Sequence, residues 1–436
     1  PSDFTYNPSN QRFSSYSTVT DVTSGFGMYA YNSGSGYNDT VFTPTTTVTP
    51  DVTVIEAAGG GSPQGWISTI SDELKGYGYT DLQLRSLDVD SSGNIIAAGD
   101  SGGGHTTVVK IKPDGTVDSA ASFGTNSSGL VNRSVAVDSS DNIFTAGEGP
   151  SIWSGKDGHV MRLTSSLTKS YDDFFGEGYN DEHFDIVGVG SNAFAVGESQ
   201  SFALNFSQDP KGHLIKYDAN GGVTKTLISR SSQRSYPQGI STDGTNVYVI
   251  GKDVSSMWIA KVNNALSSVT WGIHWGSGSA ESRIMDIDTN SSGESVAYMW
   301  ESGALRIAKL ASDGTADWRK YWDKASTDHG TQYAGYNYLA GYGIKLLANG
   351  SVALRAGSMP WTTDSYRKSF YIVVFDSTGT VTVQKEFKII TSGYHLGHST
   401  KSLVELSDGK IVTAVPYYTG SDWKNAIFKF DPTDTT

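Results

Sequence analysis

The residues best suited to metal chemistry are the histidines. The eight histidines are His105, His159, His183, His213, His274, His329, His395 and His398. Only His395 and His398 lie close together in sequence, and no run of carboxylates accompanies them. A protein metal site normally needs three or four converging ligands with supporting contacts. Since the chain also has no cysteine, the sequence predicts no metal site, no cofactor and no thiolate nucleophile.

Carboxylates offer a second kind of chemistry. The adjacent pairs Asp172–Asp173 and Asp181–Glu182 would suit acid–base catalysis if their carboxyl groups faced each other across a substrate. A hydrolase or lyase that uses loop carboxylates therefore stays open as an alternative. Nucleophile-elbow, phosphate-loop and dinucleotide motifs are absent from the sequence. The leading expectation is a protein that is not an enzyme.

Aromatic residues are the best binding candidates. They fall in segments that we expect to be long loops: 148–158, 198–212, 323–342, 358–369, 391–401 and 417–423. Tyrosine and tryptophan give a large contact area with a polar handle, which suits protein partners or stacking on sugar rings. The alternative is that most of them pack in the core or stiffen their own loops. The candidate binding residues are Trp153, Tyr336, Tyr338, Trp361, Tyr366, Tyr394, Tyr417, Tyr418 and Trp423.

A repeat of about fifty residues must position these side chains. The phrase LDVDSSGNIIAAG at 87–99 returns as VAVDSSDNIFTAG at 135–147. Weaker copies run over 187–197, 240–251, 287–299, 344–357 and 403–415, which makes seven. The first four copies end in Gly99, Gly147, Gly197 and Gly251, at spacings of 48, 50 and 54 residues. This period is typical of a four-stranded propeller blade.

Each copy continues with an alternating run and a tight turn, as in TVVKIKPDG at 107–115. Period-two alternation with Asp, Asn and Gly at the turns predicts strands joined by short hairpins. In the first copy we expect strands a to d near 85–90, 94–100, 106–112 and 116–123. The 50 glycines and the 18% of charged residues favour the same all-β class. The sequence therefore predicts a seven-bladed β-propeller over residues 65–436, preceded by an arm and linker at 1–64.

The phrases VDSSGNIIAAGD and VVKIKPDGTV resemble the bacterial β-propeller repeat (SBBP-like) family of surface and secreted proteins. The resemblance covers about residues 66–436 and implies the propeller fold, but it implies no activity. The fifth and seventh copies depart from the pattern because they lack the closing glycine.

The ends of the chain predict how the ring closes. The seventh copy ends soon after Ala426–Phe430, so its fourth strand is missing. The residue pattern of Trp66–Ser71 is typical of a fourth strand, and we expect these residues to lie beside residues 424–430. Closure of this kind removes two free sheet edges. The alternative is an unpaired N-terminal segment and a frayed last blade.

Blade connectivity places the b–c and d–a connections on one face, which we call the long-loop face. The a–b and c–d turns lie on the opposite, short-turn face. Near the mouth of the channel, at the start of each strand a, we expect a ring of residues with both charges. An internally paired, water-filled plug is expected there, rather than a ligand site. The ring residues are Arg85, Arg133, Asp185, Gln238, Asp286 and Lys401.

Residues 1–64 are rich in Ser, Thr, Tyr, Asn and Gly, and we expect them to be extended and ordered only by a partner, with 57–63 as a linker. The formal charge of −13 argues against nucleic acid as a partner. No stretch reaches the roughly 20 apolar residues of a membrane span. Because the chain begins with Pro1, we expect a processed or truncated N-terminus.

The leading functional hypothesis is a structural or adhesive propeller displayed on a larger assembly, for which a phage virion, tail or fibre is one candidate. Its partners would be other protein subunits through residues 1–64, and glycans or a host surface through the long-loop face. The expected location is extracellular or on a virion surface. A secreted carbohydrate-binding propeller is the second hypothesis, supported by the Tyr and Trp loops.

Overall fold

The structure is a computed structural model. It describes residues 40–42, 55–57, 67–69 and 81–433, without 103, 125–128, 152–154, 177–178, 202–210, 229–234, 254–255, 278–284, 302–303, 323–336, 361–368, 390–394, 397–400 and 419–420. Every regular element in this part of the chain is a β-strand. Among the same residues, no helix could span a membrane.

Seven antiparallel sheets form the molecule, and each sheet is one blade. The innermost strands, a, are β4 (Gln83–Val89), β8 (Val131–Val137), β12 (Asp181–Val189), β16 (Ser235–Thr242), β20 (Met285–Thr289), β24 (Asn337–Leu346) and, in blade 7, β28 (His395–Leu396) with β29 (Leu403–Glu405). The second strands, b, are β5 (Ile95–Ser101), β9 (Ile143–Pro150), β13 (Asn192–Ser199), β17 (Asn246–Asp253), β21 (Ser295–Glu301), β25 (Val352–Pro360) and β30 (Ile411–Tyr418).

The third strands, c, are β6 (His105–Ile111), β10 (Lys156–Leu163), β14 (Lys211–Tyr217), β18 (Ser256–Asn263), β22 (Ala304–Leu310), β26 (Ser369–Phe375) and β31 (Trp423–Phe430). The outer strands, d, are β7 (Val117–Phe123), β11 (Lys169–Phe175), β15 (Val223–Leu227), β19 (Val269–Ser277), β23 (Ala316–Trp322), β27 (Val381–Ile389) and β3 (Ile67–Thr69). Two further strands are β1 (Thr40–Phe42) and β2 (Ile55–Ala57). The predicted strands of the first copy are confirmed to within two residues.

The a strands form a closed ring, because each contacts the a strand of the next blade and β29 contacts β4. The ring closes as the sequence predicts. Strand β3 pairs antiparallel with β31, and Ile67 lies opposite Phe428 and Thr69 opposite Ala426. The last blade therefore combines β3, which precedes blade 1 in the sequence, with the strands that follow blade 6. The edge of β31 is paired with β3 at these residues.

Seven hydrophobic clusters fill the seven gaps between neighbouring blades. The cluster at the closure joins Leu84, Ile95 and Val109 of blade 1 to Val412 and Ile427 of blade 7. Each of these five side chains is fully buried, and full burial of such a side chain stabilises the fold by about 1.5–3 kcal/mol. Packing between blades thus holds the ring together at the closure as well as elsewhere.

The closing glycine of the repeat has a steric cause. A Cβ on Gly99 would lie 1.8 Å from the carbonyl oxygen of Gln83, and a Cβ on Gly147 would lie 1.9 Å from that of Val131. The pairing register shifts at this point in strand a, so the innermost strand carries a β-bulge opposite the glycine. In the fifth copy Met299 lies directly opposite Met285 without a shift, which explains why that copy needs no glycine.

Two short parts of the arm belong to the propeller sheets, which corrects the expectation that residues 1–64 are ordered only by a partner. Strand β1 pairs with the outer strand β7 of blade 1, and β2 pairs with the outer strand β27 of blade 6. The exposed hydrogen-bonding edge of an outer strand accepts an extended segment whatever its apolar content. The remainder of 1–64 lies outside the described residues.

Candidate functional site

Most of the predicted binding aromatics lie outside the described residues. These are Trp153, Tyr336, Trp361, Tyr366 and Tyr394. Tyr338 lies in β24, although its side chain is also outside the described set. The described candidates are therefore Tyr417, Tyr418 and Trp423.

The prediction of Tyr417 as an exposed loop residue is wrong. Strand β30 continues to Tyr418, and Tyr417 is 1% exposed in the cluster between blades 6 and 7, with Phe428. Successive side chains of a strand point to opposite faces. Tyr417 therefore faces the core, whereas its neighbour Tyr418 is only partly buried.

Tyr418 and Trp423 lie side by side at the b–c connection of blade 7, on the long-loop face. Their ring centroids are 5.4 Å apart, and both side chains are partly exposed. The backbone N–H of Trp423 donates a 3.4 Å hydrogen bond to Oδ1 of Asp81, which precedes the first strand of blade 1. The aromatic pair is therefore linked to the segment where the ring closes.

Ion pairs lie at the channel mouth on the long-loop face, and their acidic partners are outside the predicted ring. Arg85 contacts Asp100 at 2.7 Å. Arg133 contacts Glu148 at 3.1 Å and Glu182 of the next blade at 2.8 Å. Positive charge at the mouth is thus already paired within the protein, which supports a structural role for these two arginines.

Five of the six predicted ring residues occupy two rows instead of one. Arg85, Arg133 and Gln238 stand at the β-bulges of their strands. Asp185 and Asp286 come one residue after the equivalent position of their strands and lie one row deeper in the channel. Both are at most 5% exposed. A bulge inserts one residue and re-aims the side chains around it, so counting along the sequence merged the two rows.

The deeper row joins blade 3 to blade 4 and blade 5 to blade 6. The carboxylate of Asp185 accepts a 2.9 Å hydrogen bond from the backbone N–H of Ile240. That of Asp286 accepts a 3.2 Å bond from the N–H of Ile344. In each case a carboxylate of one blade satisfies a backbone donor of the following blade, which stabilises the buried donor.

Lys401 crosses the channel. Its ammonium donates a 2.9 Å hydrogen bond to the carbonyl oxygen of Ile186 and lies 3.6 Å from Asp185. Lys401 belongs to blade 7 and the other two residues belong to blade 3, so the contact joins opposite sides of the ring. Within the predicted ring, Lys401 thus pairs with Asp185. Arg85 and Arg133 pair with acids outside that ring. Oε1 of Gln238 has no hydrogen-bond partner among the described residues.

Buried carboxylates dominate the electrostatics of the channel. Burial, with the nearby Asp185 carboxylate, raises the pKa of Asp286 to about 7. Burial opposes the charge of Lys401, but the carboxylates of Asp185 and Asp88 outweigh it and raise the pKa of this lysine. The carboxylate of Asp288, 3.0 Å from the ammonium of Lys345, likewise outweighs burial and raises the pKa of this lysine. The channel wall is therefore an interdependent set of charges.

A buried chain of hydrogen bonds lies between blades 2 and 3, and sequence reasoning missed it. Nδ1 of His183 is 2.9 Å from Nε2 of His213, and Nε2 of His183 is 2.9 Å from the hydroxyl of Tyr217. Gly158 and Gly197 make room, because a Cβ on either would lie 2.8 Å from one of the two imidazole rings. Gly197 lies opposite both His183 and His213 in the strand pairing, and this glycine was the available signal.

These histidines are neutral core residues. Burial lowers the pKa of His183 to about 3 and that of His159 to about 4. Within the described part of the chain, no three His, Asp or Glu side chains are grouped so that they could hold a metal ion. The two hydrogen bonds join side chains of blade 3, and Nδ1 of His213 has no hydrogen-bond partner among the described residues.

The adjacent carboxylate pairs proposed from the sequence separate. Glu182 points to Arg133, whereas Asp181 turns towards Asp157 of the neighbouring blade. Asp172 contacts Lys169 at 3.5 Å. Alternation along a strand sends neighbouring side chains to opposite faces, so a pair adjacent in sequence cannot act on one substrate atom here.

No protein-family model matches the sequence, and no curated protein matches it. Solved structures are similar at low identity. The Cps50 (Swd1) β-propeller domain of Myceliophteria thermophila is 8% identical, covers 86% of this chain and 99% of its own, and has a TM-score of 0.48. The WD40 domain of Toxoplasma gondii coronin is 10% identical, covers 86% of each chain and has a TM-score of 0.45. Dihydro-heme d1 dehydrogenase NirN in complex with DHE is 12% identical, covers 80% of this chain and 69% of its own, and has a TM-score of 0.42. At these identities and TM-scores, no functional residue is transferred to this chain.

Proposed function

We propose that this chain is a non-enzymatic structural or adhesive protein, in which the propeller presents its long-loop face to a partner and residues 1–64 anchor it in a larger assembly. A propeller fold suits a protein-interaction or structural role in general. The observation that carries the proposal is the Tyr418–Trp423 pair, with its partly exposed rings 5.4 Å apart. Tyrosine and tryptophan are enriched at binding hot spots.

The location of this pair adds to its suitability. The hydrogen bond from the N–H of Trp423 to Asp81 connects the loop to the segment that precedes the first strand of blade 1. A side chain that is already positioned loses less conformational freedom on binding, so more of its contact energy appears as affinity. The pair is thus a preorganised contact point on the long-loop face.

The rival hydrolase or lyase has less support. The two carboxylates that meet beneath the long-loop face, Asp157 and Asp181, are 6% and 0% exposed. An acid–base pair must come within hydrogen-bond reach of its substrate, and these side chains present almost no surface to one. We therefore favour binding over catalysis.

The expected setting, outside the cell or on a virion surface, rests on the layout of an anchoring arm followed by a displayed ring. A phage virion, tail or fibre is one such assembly. The resemblance to SBBP-like repeats of surface proteins favours the same kind of setting, and it stays a prediction.

Site-specific photocrosslinking in the native assembly tests the proposal. A photoreactive amino acid replaces Trp423 in the full chain, and Trp271 in the control. Trp271 is also partly exposed, but its Nε1 donates to the Ser312 carbonyl at a turn of blade 5, on the short-turn face. We expect protein crosslinks from position 423 that position 271 does not give. Equal labelling from both positions, or a chain that sediments alone from its native source, would contradict the proposal.

A carbohydrate partner is the second candidate, because the same ring pair suits stacking on a sugar. A glycan array probed with the full chain distinguishes the two. Binding that Trp423→Ala removes and Trp271→Ala preserves would favour the carbohydrate. The absence of any glycan signal would leave the protein partner as the better proposal.

A further inference from the structure

Two buried carboxylates from neighbouring blades converge beneath the long-loop face. Asp157 stands near the start of β10 in blade 2, and Asp181 begins β12 in blade 3. A Cβ on Gly176 would lie 2.4 Å from Oδ1 of Asp157 and 2.4 Å from Oδ2 of Asp181. Both oxygens therefore face one small space, which stays open only because residue 176 is glycine.

Neither carboxylate has its charge balanced by the protein. Oδ1 of Asp157 is buried and has no hydrogen-bond partner among the described residues. Oδ2 of Asp181 accepts a 2.6 Å hydrogen bond from the hydroxyl of Ser201, a neutral donor. No lysine or arginine of the described chain forms an ion pair with either aspartate. An unpaired buried carboxylate is costly, and two that face each other are costlier.

The pKa values of both groups reflect this arrangement. Burial raises the pKa of Asp157 above its usual range. Burial raises the pKa of Asp181 to about 6, and the nearby Asp157 carboxylate adds to the rise although Ser199 and Ser201 oppose it. The space between them therefore favours positive charge, either a proton or a cation.

We propose that Asp157 and Asp181 bind a calcium ion that links blade 2 to blade 3. Calcium takes six to eight oxygen ligands from carboxylates, carbonyl groups and water, in flexible geometry. Serine hydroxyls line the surroundings, since Ser151 bonds to Asp157 and Ser199 and Ser201 bond to Asp181. The set is all oxygen, which suits a hard cation better than zinc or copper.

Only two carboxylates contribute, so we expect weak binding. Sites with few charged ligands bind calcium with a Kd of about 0.1–1 mM, the range of extracellular modules. Magnesium prefers a smaller, near-octahedral site and gives up its water reluctantly. We therefore expect calcium to act at millimolar concentration and magnesium to act less.

Thermal unfolding of the full chain tests the site, with calcium alone as the probe. After treatment with a chelator, 10 mM calcium chloride at pH 7.5 should raise the Tm by about 2–4 °C for a propeller of this size. Asp157→Asn and Asp181→Asn should each abolish the rise. The matched control is Asp118→Asn, which removes an exposed carboxylate paired with Lys112 and should keep the rise.

The response without calcium separates cation binding from a purely structural role. Asp157→Asn removes one of two facing negative charges, so without calcium the Tm of this variant should lie above that of the wild type. Addition of calcium should leave the Tm of the variant unchanged. A carboxylate that merely accepted hydrogen bonds would give a lower Tm in both conditions. Because Oδ1 of Asp157 has no hydrogen bond from the described residues to lose, this variant is the one expected to fold.

Isothermal titration with calcium provides the second measurement, since it counts sites independently of Tm. The proposal expects one fewer site in Asp157→Asn than in the wild type. It is overturned if calcium leaves the wild-type Tm unchanged, or if Asp157→Asn keeps both the site and the rise. A wild-type Tm that falls from pH 5 to pH 7 and ignores calcium would instead assign a shared proton to the pair.

Discussion

Replacement of Lys401 by methionine should weaken the ring from inside the channel. Methionine keeps an apolar stem of similar length but removes the ammonium that donates to the Ile186 carbonyl at 2.9 Å and lies 3.6 Å from Asp185. A hydrogen bond from a charged donor contributes about 1.5–3 kcal/mol, and breaking a buried ion pair costs about 3–5 kcal/mol. Since the lysine side chain is 22% exposed, solvent reduces the loss, and we expect about 2–3 kcal/mol at pH 8.

The loss should depend on pH with a definite sign. The pKa of Asp286 is raised to about 7, so its contribution to stability is present at low pH and is lost as the pH rises through 7. Without Lys401 this pKa rises further, and the carboxylates repel one another more strongly at pH 8. At pH 5.5 Asp286 is protonated with or without the lysine, so the loss should shrink to about half.

Thermal unfolding followed by circular dichroism at pH 5.5 and pH 8 measures both effects. A loss of this size corresponds to about 3 °C at pH 8 for a domain of this length. Lys112→Met is the control, because the Lys112–Asp118 pair is 50% and 39% exposed and a surface pair contributes roughly 0–1 kcal/mol. A Lys401→Met effect no larger than the control, or one larger at pH 5.5 than at pH 8, would refute the cross-channel role.

Two further predictions concern the blades. Gly147→Ala should cost more than about 3 kcal/mol, because its Cβ would lie 1.9 Å from the Val131 carbonyl. Gly244→Ala should cost about 1 kcal/mol, since its φ of +85° is strained but no atom lies within 4 Å; equal urea midpoints would contradict the bulge explanation. His183 should stay neutral down to pH 5, because burial lowers its pKa to about 3; its stabilising effect is then present above pH 6.5 and is lost only as the pH falls towards 3. An NMR titration midpoint near 6.5 for His183 would show that the imidazole is not buried.

Local physics explains why the blades could be predicted from sequence. The Asp90 carboxylate accepts hydrogen bonds from the backbone N–H groups of Ser92 and Asn94. The a–b turn is therefore determined by residues that are neighbours in the sequence. The closing glycine accompanies a bulge in the paired strand, and it recurs in five of the seven copies. Closure was predictable because a missing strand can be counted. Features set by short-range geometry are thus recoverable from the repeat.

Contacts between blades were not predictable in the same way. Asp157 and Asp181 lie 24 positions apart in different blades, and only the three-dimensional packing makes their oxygens face each other. Tyr417 and Tyr418 are neighbours of identical chemistry, but Tyr417 is buried and Tyr418 is partly exposed. This difference depends on where β30 ends. The channel rows were merged because a bulge shifts the pattern by one residue. Each of these depends on register or on a partner strand that composition does not encode.

Closure of the ring by β3 and β31 is the claim on which the two faces and every proposal depend. Thr69 and Ala426 are Cα partners in this pairing, and opposite residues of an antiparallel pair lie about 4.5–5.5 Å apart, within reach of a disulfide. Because the chain has no cysteine, a double variant Thr69→Cys with Ala426→Cys has no competing thiol. We predict that mild oxidation links these two positions within one chain, as mass spectrometry of the proteolysed protein would detect, whereas Thr69→Cys with Asp118→Cys stays reduced. A Thr69–Ala426 variant that forms no more intrachain disulfide than this control would contradict the closed ring.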